Sequence, residues 1–275
     1  MSRQILRELE RNKELLEEGF VLIPGLLSHD KCDLLVTQAK RIYEKDSAVF
    51  TMSNWNSDPS LRTSIHEHIL KIVNEELMNK TCDYLPKLAV YSAKGPGQDG
   101  KVKLHQDWSM VDEVESRSIS FWVALEDIDA SSGPLQMIRR THLTANFPRG
   151  INTPYCFEDV ATELEKKFSE IVLMKKGDAL VFDHRIIHGS MPNVSEKSRF
   201  AVVIAMKPVE AKLLHYYKDP GCDDELQLLE IAEEEFHLLP FIGNCDKPKH
   251  VSQLGRLRIR IPQLSLNQII NPRVL

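Results

Sequence analysis

The spacing of apolar positions changes character along the chain. In residues 1–86 they recur three and four apart. Ile5, Leu6, Leu9 and Leu15 or Leu16 predict a helix that stops at Gly19. Leu34, Leu35, Ala39 and Ile42 predict a second, with Ser28 as its N-cap, and Ile65, Ile69, Ile72, Val73 and Leu77 a third over roughly 62–85. Between the first two, "FVLIPGLL" is a short buried strand interrupted by Pro24. From about Leu88 short runs bounded by Gly, Pro, Asp and Ser predict strands in "LAVYSAK", "KVKLHQDWS", "RSISFWVALED", "GPLQMIRRT", "EIVLMKKGD", "ALVFDHRIIHG" and "SRFAVVIAMKP". No long helix separates the later runs, so the strands pair antiparallel, and a double-sheet barrel or sandwich with helices packed outside accommodates them. "KGPGQDG" reads as a hairpin loop, 146–169 as an excursion with one helix that acts as a lid or supports a sheet, "DDELQLLEIAEEEF" as helical or mixed, and "RLRIRIP" as strand.

There is no internal repeat and no linker, which predicts one domain over 1–275: helical support to about 86, a β core over about 87–208 and an extension over about 209–275. Composition is globular, 42% hydrophobic and 27% charged, and a net charge of −5 argues against a nucleic-acid binder. No run approaches the roughly eighteen apolar residues of a membrane span. The first twenty residues are too charged for a secretory signal, and Arg273-Val274-Leu275 is no recognised address, so a cytoplasmic location is expected. The five cysteines, Cys32, Cys82, Cys156, Cys222 and Cys245, lie far apart without a CxxC pair, which predicts reduced packing thiols.

Chemistry enters at His105 and Asp107. Two residues apart on a strand, their side chains reach into one space, and a neutral imidazole beside a carboxylate suits a divalent metal. His188 ends a later strand, and Arg199 leads the next. Two histidines and one carboxylate leave adjacent coordination positions open, the arrangement of non-haem iron(II) oxygenases. Arg199 shares a strand face with Ala201, Val203 and Ala205, so its planar fork points into a narrow interior, suited to a carboxylate. His184 and His188 form an H-x-x-x-H pair, but Arg185 stands where a zinc protease needs Glu, and His184 reads as a core histidine or a partner behind the ligands. Trp55 lines a pocket or packs; Trp108, alternating away from Asp107, packs.

The chain resembles the phytanoyl-CoA dioxygenase family of iron(II)- and 2-oxoglutarate-dependent oxygenases from about Gly19 to about Lys207. The resemblance is carried by "EEGFVLIPGLLS", "HQD", "FWVALEDIDASSGPLQMI" and "HGSMPNVSEKSR", with eleven residues from His188 to Arg199. It implies a mainly β fold with flanking helices, the double-stranded β-helix (jelly roll, cupin-like). It implies His105, Asp107 and His188 as metal ligands, Arg199 on the distal carboxylate of 2-oxoglutarate, Ser190 as a supporting hydroxyl and Trp122 lining the cavity. The activity implied consumes O2 and 2-oxoglutarate at Fe(II), hydroxylates an unactivated C–H of a small-molecule substrate and releases succinate and CO2. Related halogenases replace the carboxylate by a small residue, so Asp107 favours hydroxylation. Desaturation, cyclisation or epimerisation by the same chemistry is an alternative, and a non-catalytic metal- or ligand-binding protein is another. After "GPLQMI" the family often continues Pro-Gly-Ser-His, where this chain has "RRTH" ending at His142, so the rim's substrate does not follow from the resemblance.

Overall fold

Every residue of the strand Ile119–Ala124 is buried, and the strand has a different core on each side. Ile119, Phe121 and Val123 pack against helices, whereas Trp122 and Ala124 face a second sheet. The computed structural model describes residues 3–43, 49–219, 221–222, 224–239 and 251–271. Cys245 and Arg273-Val274-Leu275 lie outside the described residues.

In chain order the elements are α1 (Leu9–Glu18), β1 (Phe20–Ile23), α2 (His29–Tyr43), β2 (Phe50–Met52), α3 (Pro59–Lys80), β3 (Tyr84–Lys94), β4 (Val102–His105), β5 (Ile119–Ala124) and β6 (Leu135–Ile138). They continue with α4 (Ala161–Phe168), β7 (Glu170–Val172), β8 (Ala179–Asp183), β9 (Ile187–Ser190), β10 (Arg199–Pro208), β11 (Leu214–Tyr217), β12 (Glu225–Glu230), β13 (Ser252–Arg258) and α5 (Leu266–Ile270). A six-stranded sheet runs β1-β8-β5-β10-β3-β2 and a four-stranded sheet β4-β9-β6-β7, with every strand pair antiparallel. Apart from β6 and β7, which are neighbours in the small sheet, the strands β3 to β10 thus alternate between two facing sheets, which is the double-stranded β-helix. A three-stranded sheet, β11-β12-β13, follows.

The helices cover the outer face of the large sheet because their apolar stripes match it. Cys32, Leu35, Val36 and Ala39 of α2, and Ile65, Ile69, Val73 and Leu77 of α3, join Phe121, Val181 and Val202 in one core. Leu34, expected on the inner face of α2, is 60% exposed, because the buried stripe runs through Cys32 and Leu35 instead. The first helix begins only at Leu9: the amides of Ile5 and Leu6 donate to Asn12 Oδ1 at 2.8 and 3.0 Å, holding that segment outside the helix. It stops at Gly19, whose φ of 88° is left-handed and where a Cβ would meet His142 Nδ1 at 2.5 Å.

Three sequence expectations change. "KGPGQDG" is not a hairpin loop, since β3 pairs with β2 and β10 while β4 pairs with β9; it carries the chain from one sheet to the other. "ALVFDHRIIHG" is two strands, β8 in the large sheet and β9 in the small one, separated by a turn closed from Ile186 N to Asp183 O at 3.0 Å. "DDELQLLE" holds strand β12 rather than helix, because it pairs on both sides with β11 and β13. The 146–169 excursion supports a sheet: Leu164 of α4 packs with Leu104, Ile138 and Ile187 behind the small sheet. Cys32, Cys82, Cys156 and Cys222 are free thiols. Among the described residues no helix is long and apolar enough to cross a membrane.

Candidate active site

His105 closes β4 directly opposite His188 on β9, with ring centroids 4.2 Å apart. Each imidazole places Nδ1 against the backbone carbonyl two residues earlier, His105 on Lys103 O at 2.9 Å and His188 on Ile186 O at 3.1 Å. A carbonyl only accepts, so Nδ1 carries the proton and Nε2 keeps its lone pair on both rings. Asp107 lies past the strand end, and one ligand atom from each of the three residues falls within 4.8 Å of the others. Burial, then the neighbouring His105, push the pKa of His188 down to about 4, so it is a neutral donor at neutral pH. Burial raises the Asp107 carboxyl, but His188, His184, His105 and the Ser120 hydroxyl together hold it below its ordinary value. Two imidazole nitrogens and one carboxylate around a common point fit a divalent iron ion.

Because the chain leaves the strand after His105, other groups must fix Asp107. Gln106 donates its side-chain amide to Ala145 O at 2.8 Å and to Arg185 O. Arg149, from the excursion, donates Nε to Asp107 O at 2.8 Å and grips Glu113 with both terminal nitrogens, at 2.9 and 2.6 Å. On the carboxylate itself, Ser120 Oγ donates to Oδ2 at 3.1 Å. The same hydroxyl lies 2.9 Å from His184 Nε2, while His184 Nδ1 lies 3.3 Å from Trp108 O. His184, read from the sequence chiefly as a core histidine, therefore backs Asp107 through Ser120.

On the other side of this cluster a cavity of about 530 Å³ runs between the sheets, lined by Arg199, Ser190, Ser92, Trp122 and Leu135 as well as His105, Asp107 and His188. The Arg199 guanidinium lies over the Trp122 ring, 4.9 Å from its centroid. Its contacts are sparse: Ser92 Oγ at 3.5 Å, Gly133 O at 3.3 Å, and no partner for Nε. Burying a cation is costly, and burial brings its pKa down to about 10 against the upward pull of the Glu126 charge. Lys94 is a second buried cation here; its Nζ donates to Ser190 Oγ at 2.5 Å and to Met191 O at 2.6 Å. Since lysine fills an acceptor site on Ser190, the hydroxyl proton of Ser190 is left to donate elsewhere. A carboxylate is the complement that Arg199 and Ser190 lack.

A second lobe, about 220 Å³, shares Met52, Trp55, His105, Asp107 and Val203 with the first. Trp108, expected to pack, lines it, because the two-residue alternation ends with β4 at His105. His142 of "RRTH" is elsewhere, donating Nε2 to Leu16 O at 3.1 Å beside α1. Sequence reasoning brought together His105, Asp107, His188, Arg199, Ser190 and Trp122, which the structure places around one cavity, and missed Lys94, Ser120, Arg149, Asn54 and His215. A lysine ending an apolar strand and an arginine inside a loop were the only signals available.

Comparison with known proteins bears on this arrangement. In sequence, the chain is 32% identical to a phytanoyl-CoA dioxygenase of Arabidopsis thaliana over 159 residues, covering 55% of this chain and 52% of that protein. It is 28% identical to a phytanoyl-CoA dioxygenase domain-containing protein 1 homolog of Dictyostelium discoideum over 122 residues, 42% of this chain and 43% of that one. The chain thus spans about half the length of the curated relatives it matches. In structure it is similar to the epimerase SnoN in complex with Fe3+, alpha ketoglutarate and nogalamycin RO, with TM-score 0.56 and 16% identity over 94% of this chain and 96% of that one. It is also similar to HygX from Streptomyces hygroscopicus with nickel and 2-oxoglutarate bound, with TM-score 0.54 and 15% identity over 78% of this chain and 91% of that one. Residues 15–201 match the family Phytanoyl-CoA dioxygenase (PhyH), well over half of the chain, and the protein belongs to that family.

Proposed function

We propose that the protein is an iron(II)- and 2-oxoglutarate-dependent dioxygenase that hydroxylates an unactivated C–H of a small organic molecule. The observation that carries this reading is the pairing of a His-Asp-His cluster with a buried arginine that, among the described residues, bonds no carboxylate and keeps its Nε without a partner. His105 and His188 would hold the iron through Nε2 and Asp107 through a carboxylate oxygen. Arg199 and Ser190 would bind the distal carboxylate of 2-oxoglutarate, with Trp122 as the wall beside it. Iron with 2-oxoglutarate and O2 supplies an oxidant strong enough to break a C–H bond, while 2-oxoglutarate becomes succinate and CO2. The chain's own contribution is placement: apolar walls exclude water from the reacting carbon, and Asp107 occupies the position that a halide would need. SnoN and HygX, named with 2-oxoglutarate or alpha ketoglutarate bound, support the cosubstrate. The chain reads as one domain over 1–275, since Trp55, His105 and Phe236, from its three stretches, line one site.

SnoN is an epimerase and SnoK, similar at TM-score 0.53, a carbocyclase, so a second reading keeps the ligands and changes the fate of the substrate. Product mass separates the two, since hydroxylation alone adds one oxygen atom. The reading itself is tested by succinate release from 2-oxoglutarate. Iron-dependent release in the wild type that falls at least a hundredfold in Asp107→Ala supports it; folded, iron-loaded protein that consumes no 2-oxoglutarate contradicts it.

A further inference from the structure

The second lobe differs in chemistry from the first. Trp55, Leu88, Val90, Met110, Val203 and Phe236 supply its walls. Among the described residues no lysine or arginine lines it, and its one acidic group is Asp107, a member of the His-Asp-His cluster. Lys101 and Lys103 line the cosubstrate lobe instead, where Lys101 is bound to Glu165 at 2.6 Å. Two lining residues each keep a buried polar atom without a partner among the described residues, Asn54 Oδ1 and His215 Nε2. Burial brings the pKa of His215 down to about 4, so this ring meets a ligand as a neutral group that donates or accepts. An amide oxygen and a neutral imidazole match a hydroxyl, and an anion set against them would be buried without a cation.

Val203, Ala205, His215 and Phe236 all lie beyond residue 201, where the family match ends. The family match itself therefore says nothing about this wall. Resting on the proposed function, we propose that the lobe takes an uncharged substrate with an apolar body and a hydroxyl group held by Asn54 and His215, in preference to a carboxylate, a phosphate or a coenzyme A ester.

Two of the three tryptophans, Trp55 and Trp108, line this lobe and the third, Trp122, lines the other, so intrinsic fluorescence reports binding without turnover. The test is an anaerobic titration of protein loaded with iron(II) and 2-oxoglutarate, using geraniol and, separately, geranic acid, which share a carbon skeleton and differ in charge at pH 7.5. Geraniol is expected to bind at least tenfold more tightly than geranate, and His215→Phe and Asn54→Leu each to weaken it several-fold. Each variant is read beside its own 2-oxoglutarate titration, which separates loss of the alcohol from loss of the fold. Geranate binding as tightly as geraniol, or neither binding to protein that binds 2-oxoglutarate, overturns the inference. Wild type that fails to bind 2-oxoglutarate contradicts the proposed function instead; the alcohol preference is then decided by the same two outcomes on metal-free protein.

Discussion

Lys94 and Arg199 face one another in register across β3 and β10, two buried cations in a protein whose net charge is −5. Burial, and then the charge of Arg199, bring the Lys94 amine from its ordinary 10.5 down to about 7. An unfolded chain holds that proton up to about pH 10. Between these values the unfolded state binds more protons, so this group makes the free protein more stable as pH rises through the window. An arriving carboxylate restores the lysine's proton. Binding of 2-oxoglutarate above pH 7 is therefore expected to take up a proton and to weaken as pH rises from 7 to 9. Calorimetry in two buffers of different ionisation enthalpy measures the uptake, and Lys94→Met is expected to abolish it and to weaken binding several-fold.

Ser120 connects His184 to Asp107, so its hydroxyl orients the carboxylate rather than donating to iron. Groups behind a metal ligand change affinity by roughly 10–100-fold when removed. Ser120→Ala is expected to weaken iron(II) binding by about tenfold while the fold remains, as measured by competition with a chelating dye. Unchanged affinity would show that Asp107 holds its orientation without this contact.

Arg149 and Glu113 form an ion pair with side chains only 2% and 8% exposed. Removing one partner leaves a buried charge, a loss of about 3–5 kcal/mol for such pairs. Arg149→Met is expected to lower the urea midpoint sharply, and the double variant with Glu113→Leu to recover part of that loss. Because Arg149 also holds the Asp107 carbonyl, the double variant should regain stability without regaining full iron affinity.

Asp183 sits at the β8–β9 turn with its carboxylate on Arg185, at 2.9 and 2.6 Å. Burial alone would raise its pKa, but the hydrogen bonds and charge of Arg185 hold it well below the usual carboxylate range. A carboxylate with a depressed folded pKa stabilises above its unfolded value, near 3.9, and loses that contribution as pH falls below it. Asp183→Asn is expected to be less stable at pH 7 and to show a shallower loss between pH 4 and pH 2. Equal acid slopes in the two proteins would contradict this.

The helical stripes of the first 86 residues and the motifs around His105 and His188 are legible in sequence because each is local: a period, or residue types the chemistry demands. What was not legible depends on distant pairing. Lys94 reads as the end of "LAVYSAK" until β10 brings Arg199 opposite it. "DDELQLLE" has good helix formers, but two neighbouring strands override that preference. Strand alternation turns Trp108 away from Asp107, but the strand ends three residues earlier, at His105.

The most direct test of the central claim is an anaerobic titration of the metal-free protein with iron(II) and then 2-oxoglutarate, following the weak visible charge-transfer band of the chelated cosubstrate. The account predicts the band in the wild type, its loss in His188→Ala, and a need for far more 2-oxoglutarate in Arg199→Ala. Wild type that binds iron yet shows no band at saturating 2-oxoglutarate would contradict it.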